Sequence, residues 1–237
     1  MIFVTGDCHA DFRKLNTKYF PDQVALTKND YVIVCGDFGY WDGSKQNKYE
    51  IGLVAQRNFT TLFVDGNHEN YVSTEEGFLG LNELPVTEWH GGNIWVEQDF
   101  PKILFAEDGD RYEINDHSFF VIGGAYSVDK EYRLTVGAPW FSDEQPDDGI
   151  KKRVMDQLKK DDYKEDIILT HTCPMSMRPV DRFMAGIEQA KVDTSTEEFL
   201  ESVSLITKYN KWYCGHWHVN RKTPQIEFLF EKVAMVA

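Results

Sequence analysis

Asp7 and His9 close the segment Thr5-Gly6-Asp7-Cys8-His9, two positions apart at the end of an apolar run that begins at Ile2. In an extended backbone that spacing puts both side chains on one face, so a carboxylate and an imidazole can converge on one metal ion. The arrangement recurs along the chain. Asp37 follows Gly36 after a β-branched run, Asn67 and His68 follow Gly66, His171 follows Ile167-Ile168-Leu169-Thr170, and His216 and His218 follow Gly215. Of the seven histidines, His9, His68, His171, His216 and His218 belong to this set. A single strand-end Asp is commonly a helix cap, and a single His is commonly a surface or satisfied core residue. Recurrence after five separate apolar runs is not explained that way. Imidazole, carboxylate and amide oxygen without thiolate suit borderline to hard divalent ions such as Mn, Fe, Co or Zn. Seven candidate ligands exceed what one ion with an open water position needs, which implies two ions sharing a bridging carboxylate.

The segments that position these residues read as alternating elements. Ile2 to Thr5, Tyr31 to Cys35 and Thr61 to Val64 are short apolar strands, with helical character expected over Asp11 to Tyr19 and Lys48 to Asn58. Strand, helix, strand, helix, strand argues for parallel strands with crossover helices, and in such sheets ligands bind beyond the carboxyl ends of the strands. In the middle, "NIWVEQ", "KILFAEDG", "RYEIN" and "HSFFVIGGA" predict short strands of an antiparallel second sheet. The stretch Tyr126 to Asp148 reads as a loop-like insertion, and a long helix is expected over Asp148 to Asp161. The opening pattern then returns: a buried strand before His171, an amphipathic helix capped by Thr194 or Ser195, a strand before Gly215, and a closing strand in "IEFLFEKVAMV". We therefore expect an α/β fold over residues 1–237 as one domain, with two packed sheets and helices outside.

The chain carries 39 acidic and 25 basic residues, a formal charge of -14. That repels long polyanions, which disfavours long nucleic acid as a partner, although bound cations would reverse the field locally. No basic segment followed by an apolar stretch opens the chain, and no apolar run approaches the ~18 residues that span a bilayer. A cytoplasmic protein without a membrane segment is the expectation. The four cysteines, Cys8, Cys35, Cys173 and Cys214, show no CxxC pairing and fit reduced thiols.

"GDCH", "GDFG", "GNHE", "THTC" and "GHWH", in this order from Asp7 to His218, resemble the motifs of the calcineurin-like metallophosphoesterase family. The resemblance implies a two-sheet αββα sandwich with the metal site at the carboxyl ends of strands. It implies that Asp7, His9 and His218 hold one metal, that Asn67, His171 and His216 hold the other, and that Asp37 bridges them. His68 matches the family's catalytic histidine, with Glu69 or Asp65 available to orient it. The cofactors implied are two divalent ions per chain, Mn first, with Fe, Zn, Co and Ni as alternatives. Such a pair can bind a bridging hydroxide and clamp the phosphate oxygens during in-line attack.

The chain departs from the family pattern at two places. Many relatives read D-x-H-G, but Ala10 follows His9 here, and because Ala disfavours φ > 0 a different turn is expected. The phosphoprotein-phosphatase branch carries a phosphate-gripping arginine within G-D-x-x-D-R-G, and "GDFGYWDGS" has none. Arg133, Arg178 and Arg182 are the candidate replacements, against the alternative of solvated surface charges. The insertions of about 126–148 and 175–193 are expected to flank the cleft and set specificity, with Tyr126, Tyr132, Trp140 and Phe141 packing the first of them rather than stacking on a base. Each cysteine lies within two residues of a metal motif, which fits small buried hydrophobes better than redox sensors. The expected function is hydrolysis of a small or nucleotide-type phosphate ester, as a phosphodiesterase or phosphatase. The alternative is a catalytically weak binding or scaffold module on the same fold, which should have lost ligands that this chain keeps. The sequence leaves the oligomeric state open.

Overall fold

The computed structural model describes residues 1–41, 44–69 and 85–236. In chain order its main elements are β1 (Ile2–Gly6), β2 (Tyr31–Cys35), α1 (Lys45–Ala55), β3 (Thr60–Phe63), β4 (Val86–Trp89), β5 (Gly92–Val96), β6 (Ile103–Ala106), β7 (Arg111–Ile114) and β8 (His117–Ile122). They continue with α2 (Lys130–Val136), α3 (Asp148–Lys160), β9 (Lys164–Thr170), α4 (Ser195–Ile206), β10 (Lys208–Cys214), β11 (Arg221–Lys222), β12 (Ile226–Phe228) and β13 (Ala234–Met235). One sheet runs β13-β1-β2-β3-β6-β5-β4 and the other β11-β12-β10-β9-β8-β7. β1, β2, β3 and β6 are mutually parallel, with Val4 opposite Ile33, Ile33 opposite Leu62 and Leu62 opposite Leu104. In the second sheet β8, β9, β10 and β12 are parallel.

The alternation of side chains along these strands sorts the core into three layers. Ile33, Leu62, Leu104, Phe119, Val121, Leu169 and Tyr213 face one another between the sheets. Their sequence neighbours Val32, Val34, Phe63 and Phe105 turn outward against Ile51 and Val54 of α1. On the far side Phe120, Ile168, Trp212 and Cys214 pack under Val154 and Leu158 of α3 and Leu200 and Val203 of α4. Strands covered on both faces read as nearly continuous apolar runs, which is the composition of β2 and of the Ile167-Ile168-Leu169 stretch of β9. The result is the expected αββα sandwich.

Several expectations need correction. The middle strands do not form one antiparallel sheet: β6 pairs in parallel with β3 and carries β5 and β4 with it, whereas β7 joins the second sheet through β8. The helix expected over Asp11 to Tyr19 is a 3-10 turn, Phe12–Leu15, with Asp11 accepting from the Arg13 N–H. Phe12 and Leu15 are buried by this turn, and a second 3-10 turn begins at Pro21. The first insertion contains α2, and the closing strand is two strands, β12 in one sheet and β13 in the other. At α4 Thr194 takes the cap position, but the side chain that accepts the Ser195 N–H is Asp193. Among the described residues no helix is long and apolar enough to cross a membrane.

Candidate metal centre

The carboxyl ends of β1, β2, β3, β9 and β10 meet at one end of the sandwich, and the chain leaves these strands in an uncommon conformation. Asp7, His9, Asp37, His216 and His218 all have φ between 38° and 64°. Left-handed backbone at a non-glycine residue costs about 1–3 kcal/mol and persists where surrounding contacts fix it. Here backbone bonds do so: Asp7 N–H to Gly36 O (3.2 Å), His9 N–H to Asp37 O (2.7 Å) and Ala10 N–H to Phe38 O (3.0 Å). Ala10 itself has φ 57°, so the turn expected to differ at this alanine takes the left-handed form instead, clamped by that bond. Gly36 allows the two sheets to touch at the site. Its φ is 79°, and a Cβ there would lie 2.0 Å from Nδ1 of His171.

All seven expected ligands are drawn together. Nε2 of His9 lies 3.0 Å from Nε2 of His218 and 3.6 Å from Oδ2 of Asp37, and Nε2 of His218 is 3.8 Å from Oδ1 of Asp7. On the other side Oδ1 of Asn67 lies 2.8 Å from Nε2 of His171 and 3.1 Å from Nδ1 of His216. His171 Nε2 is also 3.5 Å from Oδ1 of Asp37. The two oxygens of Asp37 thus face different histidines. The imidazoles are oriented from behind: His171 donates Nδ1–H to the Cys35 carbonyl (2.9 Å), which turns Nε2 inward. Asn67 donates from Nδ2 to Ser127 Oγ (2.8 Å), which turns its oxygen the same way.

The electrostatics of this cluster fit metal ions. Asp7 is buried, its Oδ1 accepts the His216 N–H (2.8 Å), and its Oδ2 has no hydrogen-bond partner among the described residues. Burial, then the charge of Asp37, raise the Asp7 carboxyl well above its usual range. Burial drives His216 well below the ordinary imidazole value and takes His218 down to about 4. Burial alone would raise Asp37, but His171, His68 and His9 around it hold it low. The lowered His216 and His218 are neutral imidazoles, the state that divalent ions require of histidine ligands, and a cation would relieve the burial and repulsion that raise the Asp7 carboxyl. Asp7, His9 and His218 bring ligand atoms within 4.8 Å of one another, and so do Asp7, Asp37 and His171.

His68 stands at the edge of this cluster. Its N–H donates to Asp37 Oδ1 (2.9 Å), and its Nε2 faces two donors, Nη2 of Arg133 (3.2 Å) and Nδ2 of Asn67 (3.2 Å). Glu69, considered as an orienter of His68, is engaged elsewhere. Its carboxylate accepts the backbone N–H groups of Phe38 (2.9 Å), Gly39 (2.8 Å) and Tyr40 (3.0 Å), pinning the loop that follows Asp37. Burial and Asp37 push it up to about 8 against the pull of these donors. Asp65 is buried and makes its contact to the second sheet through its carbonyl, which accepts from Gly124 (3.1 Å).

A cleft of about 530 Å³ opens from the cluster, lined by His9, Asp37, Asn67, His68, His216 and His218 and by all three candidate arginines, Arg133, Arg178 and Arg182. Tyr126 also lines it, whereas Tyr132 is exposed and Trp140 donates Nε1–H to Glu144 (2.9 Å). Sequence reasoning missed Lys14, Phe183 and Trp217. Lys14 is a buried lysine whose ammonium gathers the carbonyls of Gly6, Asp7 (3.1 Å) and Phe230 (2.6 Å) behind β1. Phe183 and Trp217 form an aromatic wall, for which the only hint was the placement of Trp217 between His216 and His218. All four cysteines are free and buried, and burial pushes the Cys8 thiol up to about 11. Raised, covered thiols are unreactive, as expected of small core residues.

Three comparisons with known proteins bear on this site. The chain matches the family model described as calcineurin-like phosphoesterase over residues 1–220. No curated protein matches it. A solved structure similar to it is that of a phosphopantetheinyl hydrolase from Mycobacterium tuberculosis, with a TM-score of 0.48 at 15% identity, covering 97% of this chain and 87% of that one.

Proposed function

The chain belongs to the calcineurin-like phosphoesterase family, and from that premise we propose that it is a binuclear metal-dependent hydrolase of small or nucleotide-type phosphate esters, with Mn as the working metal. The observation that carries this reading is the convergence of Asp7, His9, Asp37, Asn67, His171, His216 and His218 in one cluster at the strand ends, with Asp7 and Asp37 buried within it. Asp7, His9 and His218 would hold one ion and Asn67, His171 and His216 the other, with Asp37 shared. When bound, such ions supply an activated water at neutral pH and positive charge opposite the phosphoryl oxygens.

The chain's own residues supply the remainder. Arg133 takes the part of the missing phosphate-gripping arginine. Asp129 holds its Nε (2.8 Å) and the Pro139 carbonyl its Nη1 (3.1 Å), so Nη2 is presented toward the cleft for a charge-assisted bond to the substrate. His68, with both Arg133 and Asn67 donating toward Nε2, carries its proton on Nδ1 before substrate binds. An ester oxygen arriving between Arg133 and His68 takes over the arginine donor, so that Nε2 is free to take up a proton from solvent and pass it to the departing oxygen, returning His68 to its neutral form.

The test is hydrolysis of p-nitrophenyl phosphate and bis-p-nitrophenyl phosphate in Mn-supplemented buffer, with His68→Asn beside the wild type. We expect turnover of at least one ester and a fall in kcat of about 100-fold or more in the variant, its metal content unchanged because His68 is not a ligand. A variant as fast as the wild type contradicts the role of His68. A wild type that turns over neither ester contradicts the enzyme and leaves a binding module on the same fold.

A further inference from the structure

The reacting phosphate fills only part of the cleft, and what lines the rest is chemically specific. Trp217, between His216 and His218, stands edge-on to the His216 ring at 5.3 Å and 82°. Phe183, from the second insertion, lies nearly parallel to Trp217 at 5.8 Å and 24°. The guanidinium of Arg178 sits 5.4 Å from the centre of the Phe183 ring. These contacts form one row that leads from the metal cluster to a cation, with Ile187 and Val192 lining the same cleft.

The cation at the end of the row is available. Arg182 shares Asp181 (3.7 Å) with Arg221, which already holds that carboxylate through two bonds of 2.9 and 2.6 Å. Arg178 makes no direct ion pair among the described residues: its Nε donates to the Met175 carbonyl (3.3 Å), and the one carboxylate it acts on through charge, the buried Glu197 of the same cleft, accepts from the Thr172 hydroxyl (2.9 Å). Half-buried aromatic faces in a cleft gain by covering a flat apolar group, and an unpaired guanidinium is a fork for an anion.

We propose that Arg178, Phe183 and Trp217 form a second subsite that selects phosphate esters whose organic group carries a flat apolar face and a further anionic charge. The inference rests on the phosphoesterase reading above and says what that site prefers. Substrates that lack the flat group or the second charge reach the metal cluster but forfeit this wall.

The experiment compares kcat/KM for ethyl phosphate, 2-naphthyl phosphate and 6-carboxy-2-naphthyl phosphate in the wild type, Arg178→Ala and Phe183→Ala, all metal-loaded. The wild type should favour the carboxynaphthyl over the naphthyl ester about tenfold, the effect of ~1.4 kcal/mol. Arg178→Ala should bring that ratio to about one, and Phe183→Ala should lower the naphthyl-to-ethyl ratio about tenfold. Turnover of all three esters without discrimination, or variants that lower all three equally, overturns the subsite while leaving the phosphoesterase intact. Failure of the wild type to hydrolyse any of them contradicts the parent reading and the subsite with it.

Discussion

Arg133 shows how much of this site depends on single contacts. Held by Asp129 and Pro139, it loses no further side-chain freedom when it meets a phosphate, which is where the advantage of a fixed guanidinium lies. Replacing it by Ala should reduce kcat/KM by about 10- to 100-fold, one charge-assisted bond of about 1.5–3 kcal/mol, and Arg133→Lys should recover little because an ammonium cannot be held through three nitrogens. Equal activity of Arg133→Ala and wild type in steady-state assays would remove it from the site. The seven candidate ligands could be singled out because each is a chemically distinctive residue close beyond the end of an apolar strand. Arg133 was legible only as one of three cations, since Asp129, Pro139 and His68 come to it through the folding of α2. Lys14 and Glu69 were not legible in these roles, because what they bind is backbone brought from elsewhere in the chain.

Glu69 joins two elements. It leaves the end of β3 and holds the loop after β2 through three N–H groups, so the position of Asp37 depends on it. Above about pH 8, where the Glu69 carboxyl is ionised, Glu69→Gln replaces one accepting oxygen by a donor that faces N–H groups. The cost should be about 1–3 kcal/mol per group left unpaired, read as a Tm several degrees lower and as weaker metal retention after dialysis. Unchanged Tm and metal content would show that the loop holds itself. That β1, β2 and β3 are parallel followed from the alternation of strands with crossover segments, but the assignment of β4 to β6 did not. Antiparallel hairpins of similar composition can extend either sheet, and the parallel pairing of β6 with β3 is decided by burial of Leu104 and Phe105 on opposite faces. The helix expected near Asp11 failed for a related reason: anchoring Phe12, Lys14 and Leu15 inward favours one tight turn over a continued helix.

For the molecule as a whole, stability should depend on pH through carboxyls buried apart from the metal cluster. Asp108 accepts the Gly123 N–H (2.6 Å), and burial raises it from 3.8 to about 7. The folded state therefore binds the proton more tightly than the unfolded chain, full stability is present below the unfolded value, and it declines as pH rises from about 4 toward 7. Asp108→Asn keeps an accepting oxygen and removes the titration, so its Tm should gain on the wild type as pH rises through that window. A Tm difference constant from pH 5 to 8 would show that Asp108 stays charged in the folded protein. The charge of -14 has a different meaning at the strand ends, where Asp7 and Asp37 are buried together beside imidazoles that burial keeps uncharged, an arrangement that would take cations into the folded structure. The most direct measurement is therefore the stoichiometry of Mn bound to protein first stripped with chelator, by calorimetric titration with elemental analysis of the product. The account predicts two ions per chain, falling to one or none in Asp37→Asn. A wild type that binds one ion or none at millimolar Mn would contradict the binuclear centre.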